Sequence, residues 1–475
     1  MMPRKKIAIV GGGIAGASVA LYLAKTGLDI TLFDTQKRLV SGPPMCHLHA
    51  GGNLYREIDD HQCRMLLGQS IELLRFYPYA IDFRPTVIAT PINDPHAPAD
   101  LLPRLEMLRG EYAKLIEADP KNEVLGKSED YFKLYSKKEL LVLKELDTVV
   151  KPQTLDQWMI PVAKNIELDK LKYPLIMVQE YGLNVFRISA SATLGLKQQK
   201  NVTIKTQTKV VNVEQYDHGF TLSFQHNEKV LSEDFDYLIN AAGFRSGEID
   251  DMLGIHRDRL VEFKAAYVAQ CNKYDTLWPE VIFHGKRGTP QGMAQFTPYP
   301  DGYFQLHGMT KDITLFDDGL VRSNALSAQP KLDEKFIKKI DQGWCLSITK
   351  SRTQAAIEYL AQYIPAFKDA KVASKPLYGA QQIPGENADL RASEVSFEGE
   401  RYARCEIVKA SSILSMADEI VQKLIKLGFV QQSFYGQRDY STAAALNKED
   451  VDLYAQLTCK EREYPSSLAF VNNSY

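Results

Sequence analysis

Residues 7–10 form an apolar run that stops at three glycines, passes into small and apolar residues at helical spacing, and resumes as a second apolar run ending at Asp34. This pattern predicts strand, tight turn, helix and strand over residues 7–34. Residues 201–214 and 219–225 alternate apolar and polar positions around Asp217-His218-Gly219, as in an antiparallel hairpin. Residues 237–240 are a short apolar run leading into Ala241-Ala242-Gly243, which predicts a buried parallel strand whose small residues leave room beside the backbone. Between these regions the pattern changes. Residues 82–170 carry Pro85, Pro91, Pro95, Pro98 and Pro103, then helical periodicity over 102–117 and 136–146. Residues 262–330 are strand-like and aromatic, with a hairpin signal at Tyr299-Pro-Asp-Gly-Tyr. Residues 431–475 read as a polar tail with one helical stretch, 447–463.

A βαβ unit whose sheet continues after residue 200 has been interrupted. The expected fold is therefore α/β: a discontinuous Rossmann-like domain (1–81, 171–255 and 372–430), an inserted domain (82–170 and 256–371) built on an antiparallel sheet with helices, and the tail 431–475. A chain of 475 residues is long enough for more than one core.

The glycines carry the first chemical signal. Gly11, Gly13 and Gly16 have G-x-G-x-x-G spacing. Gly11 permits the turn, Gly13 admits a pyrophosphate beside the backbone, and Gly16 lets the helix lie close to the sheet. The helix N-terminus then offers unpaired amides to the diphosphate. Asp34, at the end of the second strand, is placed to accept hydrogen bonds from a ribose diol.

Composition narrows the partners. A net charge of −2 leaves no basic footprint for nucleic acid. The six cysteines, Cys46, Cys63, Cys271, Cys345, Cys405 and Cys459, show no C-x-x-C spacing and read as reduced thiols of a cytoplasmic protein, with no metal site indicated. No run of about eighteen apolar residues predicts a membrane span, which leaves peripheral membrane or quinone contact open. The basic start before residue 7 reads as the lead into a first strand rather than a signal peptide, because glycines interrupt the apolar stretch at once. Oligomeric state is not legible.

With its N-terminal G-x-G-x-x-G, its interrupting sheet and the late Asp236-Tyr-Leu-Ile-Asn-Ala-Ala-Gly strand, the chain resembles the D-amino-acid oxidase-like FAD-dependent oxidoreductases, a group spanning glycine and sarcosine oxidases, dimethylglycine dehydrogenase, and 2-hydroxyglutarate and glycerol-3-phosphate dehydrogenases. The resemblance implies a glutathione-reductase-type FAD domain. It implies cofactor contacts from Gly11, Gly13, Ile14, Ala15, Gly16, Asp34, Thr35, Arg38, Val210, Ala241, Ala242 and Gly243. His47-Leu-His-Ala-Gly-Gly falls where these enzymes run beside the pyrophosphate and flavin, which adds His49, Ala50, Gly51 and Gly52. FAD is expected to be non-covalent, with a covalent link through His49 as the alternative. Lys409-Ala-Ser-Ser-Ile-Leu-Ser matches the family's turn into its last long helix, adding Ser412, Ile413 and Leu414, although serines stand where the family has glycines.

No second G-x-G-x-x-G is present, so reducing equivalents are expected from a small-molecule substrate. The absence of a C-x-x-x-x-C pair after the first helix argues against a disulfide reductase. A 2-hydroxy acid calls for a base and an amino acid for a carboxylate clamp. His307, Arg84 and Lys409 are the catalytic candidates, with His284, Gln295 and Tyr299 beside them. The competing expectation is a flavin-binding partner or maturation protein of subordinate redox activity, with the tail as its docking surface.

Overall fold

The computed structural model describes residues 4–42, 58–274, 277–388, 390 and 395–472. Its first sheet has the order Val395–Glu398, Tyr402–Cys405, Tyr237–Asn240, Lys6–Val10, Asp29–Phe33, Val202–Lys205. All neighbours are parallel except the outermost pair, Val395–Glu398 with Tyr402–Cys405. Near-continuous apolar strands form such a sheet because both of its faces are covered. On one face lies the helix Ile14–Leu23, itself packed against the helices Val185–Lys197 and Ile413–Lys426. On the other lies a meander, Thr208–Tyr216, Gly219–His226 and Lys229–Phe235, whose Phe220, Phe224 and Phe235 close over Phe33.

Residues 201–214 are therefore not one arm of a hairpin. The left-handed backbone of Gln207, φ 51°, splits the stretch into the edge strand of the parallel sheet and the first strand of the meander. The meander's second turn, at Asn227 and Glu228, has two positive φ angles and no glycine, so the strand after it carried no sequence signal.

The second sheet joins both inserted blocks. Its main path runs Leu320–Arg322, Arg259–Gln270, Tyr303–Gly308, Ala294–Tyr299, Glu280–Phe283, Thr86–Pro91, Leu171–Val178, Phe132–Tyr135. It is mixed rather than wholly antiparallel, because Glu280–Phe283 runs parallel to Thr86–Pro91 at the seam between the blocks. Leu171–Val178 and Leu377–Pro384 also belong here, across the boundaries expected at 171 and 372. Alternation along the strands gives this sheet two buried faces. Ile88, Ile176, Val178, Ala266, Val268 and Leu377 join the core of the nucleotide-type domain, whereas Val87, Ala89, Leu175, Met177, Tyr267 and Phe296 pack with residues of the helices Leu155–Asn165 and Leu346–Ala361.

The tail is not a loose appendage. Its helix Lys448–Glu461 packs on Val185–Lys197. Beyond it, Asn184 Nδ2 donates to Leu468 O at 2.7 Å, Ser467 Oγ donates to Asp301 at 2.6 Å, and Asn472 N donates to Asp82 at 2.9 Å. The tail thus ties together parts of the chain nearly 400 residues apart, and its buried Leu468 and Ala469 are core rather than surface.

Candidate active site

The glycine turn is built by exclusion. Gly11 has φ 105°, and a Cβ there would lie 2.3 Å from Ala241 O. A Cβ on Gly16 would lie 1.9 Å from Gly11 O, so the helix can approach the turn only without one. Gly13 differs: a Cβ would meet nothing within 4 Å. It is the N-cap of Ile14–Leu23, with no capping side chain and no acidic residue in the first turn. A cradle in front of uncapped amides, with Gly13, Ile14 and Ala15 at its partly exposed rim, fits a diphosphate.

Asp34 closes the neighbouring corner. Its carboxylate is buried and accepts from Gly12 N and from Gln36 N, both at 2.6 Å. Burial raises its pKa above the usual carboxylate range, while the two amides and the Arg462 guanidinium pull the other way. Asp34 therefore organises the turn in addition to bordering the expected ribose position. Thr35 is exposed beside it, and Val210 is buried at the start of the meander. Arg38 is engaged by the tail helix: its guanidinium forms a two-pronged pair with Glu461 (2.6 and 2.8 Å) and lies over the Tyr454 ring.

Ala241, Ala242 and Gly243 follow the central strand as expected, with Ala241 N donating to Val10 O at 2.8 Å. Their turn is fixed from behind. Asn240 Nδ2 donates to Tyr402 Oη at 2.7 Å and to Ser246 O at 2.8 Å, and the buried Asp250 accepts from Tyr402 Oη, Arg404 and Arg259. Sequence reading missed this network because Tyr402 and Arg404 lie more than 150 residues from the Asn240 and Asp250 side chains they meet. Ser412 opens the helix Ile413–Lys426, and its hydroxyl donates to Gln69 Oε1 at 2.9 Å. Ile413 and Leu414 are fully buried, so their side chains serve the core.

Facing the nucleotide-type domain, the second sheet carries a polar row. Gln295 is paired with His307 and Thr297 with Gln305, while the alternate pair Phe296 and Leu306 points to the opposite core. Glu280, Gln295, Thr297 and Gln305 are 0–2% exposed, and His307 is half-buried. Tyr299 and Tyr303, at the end of the row, pack on the nucleotide-type core. Such groups are costly to bury on an otherwise apolar face. His284 is buried just after Glu280–Phe283, its N–H donating to Ala89 O at 2.9 Å.

Arg84 is part of this layer but is not a free clamp. Its Nε donates to Asp82 at 2.8 Å, its Nη1 donates to Glu280, and Glu280 also accepts from Gln295 Nε2. All four side chains are buried. Burial raises the Asp82 carboxyl above its usual range against the pull of Arg84. Asp82 and Glu280 thus engage Nε and Nη1 of the guanidinium, and Arg84 stands here as the cation of a buried cluster. Lys409 is half-buried immediately before the Ala410–Ser412 turn, and Gln381 Nε2 anchors the preceding Val408 O at 2.7 Å. His49, Ala50, Gly51 and Gly52 lie outside the described residues.

Residues 6–129 match the family model described as "DAO: FAD dependent oxidoreductase". No curated protein matches the sequence. Among solved structures, the fold is similar to L-alpha-glycerophosphate oxidase from Mycoplasma pneumoniae with FAD bound (16% identity, TM-score 0.57, 89% of this chain and 95% of that one). It is similar also to glycerol-3-phosphate dehydrogenase from Bacillus halodurans complexed with FAD (12%, 0.56, 98% and 74%) and to L-amino acid deaminase from Proteus vulgaris (14%, 0.56, 95% and 97%). At these identities the likeness is one of fold.

Proposed function

We propose that this chain, an FAD-dependent oxidoreductase of the DAO type, dehydrogenates a small amino acid, amine or 2-hydroxy acid held between the polar row of the second sheet and the cofactor. The observation that carries this reading is the row of buried Glu280, Gln295, Thr297 and Gln305 with half-buried His307 on the face turned toward the dinucleotide fold. FAD, when bound, supplies hydride acceptance at flavin N5. Gly11, Gly13 and Gly16 with the amides of Ile14 and Ala15 would hold its diphosphate, and the Ser412 turn would offer it a second helix N-terminus. His307 takes the proton from the substrate's amine or hydroxyl, and Gln295 and Thr297 orient that group. Lys409 supplies positive charge beside the Ser412 turn. Oxygen, a quinone or another carrier would reoxidise the flavin. Cys271, Cys405 and Cys459, buried free thiols, and the exposed free thiol Cys345 support a reducing, cytoplasmic setting. No described helix is long and apolar enough to cross a membrane.

The test is anaerobic. Purified holoprotein mixed with a panel of amino acids, N-methylated amines, 2-hydroxy acids and glycerol 3-phosphate should bleach its flavin absorbance with at least one amino or 2-hydroxy acid. Bleaching by glycerol 3-phosphate alone would replace the substrate class. Retention of FAD with no bleaching by any member would overturn the reading.

A further inference from the structure

One residue beside the glycine turn adopts a backbone that its side chain disfavours. Val40 has φ 53°, in the left-handed region where a β-branched residue is a true outlier. Such conformations persist only where neighbours over-determine them. Here three contacts do so. Val40 N donates to Gly12 O at 2.8 Å, which ties the corner to the dinucleotide turn. Ser189 Oγ, fully buried, donates to Leu39 O at 2.6 Å. Arg462 Nη2, from the far end of the chain, donates to Val40 O at 2.7 Å, and its guanidinium lies over the Phe186 ring. The first two contacts come from elements that the Rossmann-like fold must place there. The third comes from a segment 422 residues away.

We infer that Arg462 is a positioning residue for FAD: by holding Val40 in its left-handed corner, it fixes Gly12 and hence the turn that receives the diphosphate. The inference rests on FAD binding at Gly11–Gly16. It makes the C-terminal segment part of the cofactor site without its touching the cofactor.

The experiment is a cycle of three variants of the full chain, stripped of flavin and titrated with FAD while FAD fluorescence is followed. R462M should raise the FAD Kd about tenfold, equivalent to about 1.4 kcal/mol. V40G, in which glycine adopts this φ freely, should bind within about threefold of the parent. V40G/R462M should also return to within about threefold, because the corner no longer needs an external hold. Should R462M be insoluble, R462K, which keeps the charge but loses the planar fork, is read in the same cycle. Parent-like affinity in R462M (or, in that case, R462K) would overturn the inference, as would a double variant as weak as the arginine substitution alone, which would mark Arg462 as a general packing residue. Failure of the parent itself to bind FAD would instead sink the cofactor assignment.

Discussion

Gly13 separates cofactor binding from folding, unlike its neighbours Gly11 and Gly16, where a Cβ would clash with backbone. Its backbone, φ −63° and ψ −175°, is open to any L-residue, and a Cβ there meets nothing within 4 Å. Gly13→Ala should therefore leave the apoprotein nearly unperturbed, at most about 1 kcal/mol for a poorer N-cap, a shift in Tm of no more than about 3 °C. With FAD the methyl stands between the uncapped helix amides and the diphosphate. Loss of two charge-assisted hydrogen bonds, at about 1.5 kcal/mol each, gives about 3 kcal/mol, or roughly a hundredfold in Kd. Titration of apoprotein with FAD measures the affinity, and differential scanning calorimetry of the apo form measures the stability. Gly16→Ala is the contrast. Its Cβ would sit 1.9 Å from Gly11 O, so apoprotein stability should fall as well, by about 1–3 kcal/mol for an overpacked contact. Parent-like FAD affinity in Gly13→Ala would refute the assignment of this cradle.

Arg84→Met should cost about 3–5 kcal/mol of stability, because it leaves the buried Asp82 and Glu280 carboxylates without their cation. An unchanged Tm with only a raised KM would restore Arg84 as a substrate clamp. Glu461, paired with Arg38, has its pKa lowered from 4.5 to about 2. A carboxylate lowered in the folded state contributes stability above its unfolded value and loses it as pH falls through the folded one. The Tm difference between the parent and Glu461→Gln should thus be constant from pH 6 to 8 and vanish as pH falls from about 4.5 toward about 2; a difference independent of pH would show that the pair contributes nothing through ionisation. Deletion of residues 465–475 should lower Tm and expose the chain to proteolysis, since Asn184 and Asp82 lose buried partners. Protease resistance equal to the parent's would contradict the integral role of the tail.

What was legible in the sequence was local. The Gly11–Gly16 turn, the helix behind it, the strand Tyr237–Asn240 and the hairpin at Asp301-Gly302 each carry their signal within a few residues, where glycine tolerance and apolar period decide the structure. Contacts between distant residues were not legible. Arg84 reads as an isolated arginine until Glu280 is brought to it across 196 residues, and Arg38 reads as a cofactor ligand until Glu461 arrives from the tail. The polarity of the tail misled for the same reason: Arg438, Asp452 and Glu461 face partners in distant parts of their own chain. The break at Gln207 was hidden because a glutamine at positive φ has no composition cue.

The central claim, that substrate sits on the polar row above the flavin, is tested most directly by the anaerobic rate of flavin bleaching in Gln295→Met and His307→Asn, measured by rapid mixing with the substrate found to reduce the parent. The account predicts parent-like FAD content and reduction slowed at least about tenfold in each variant, the lower range for loss of a positioned acid–base or orienting group. Parent-like reduction rates in both would place the chemistry elsewhere in the molecule.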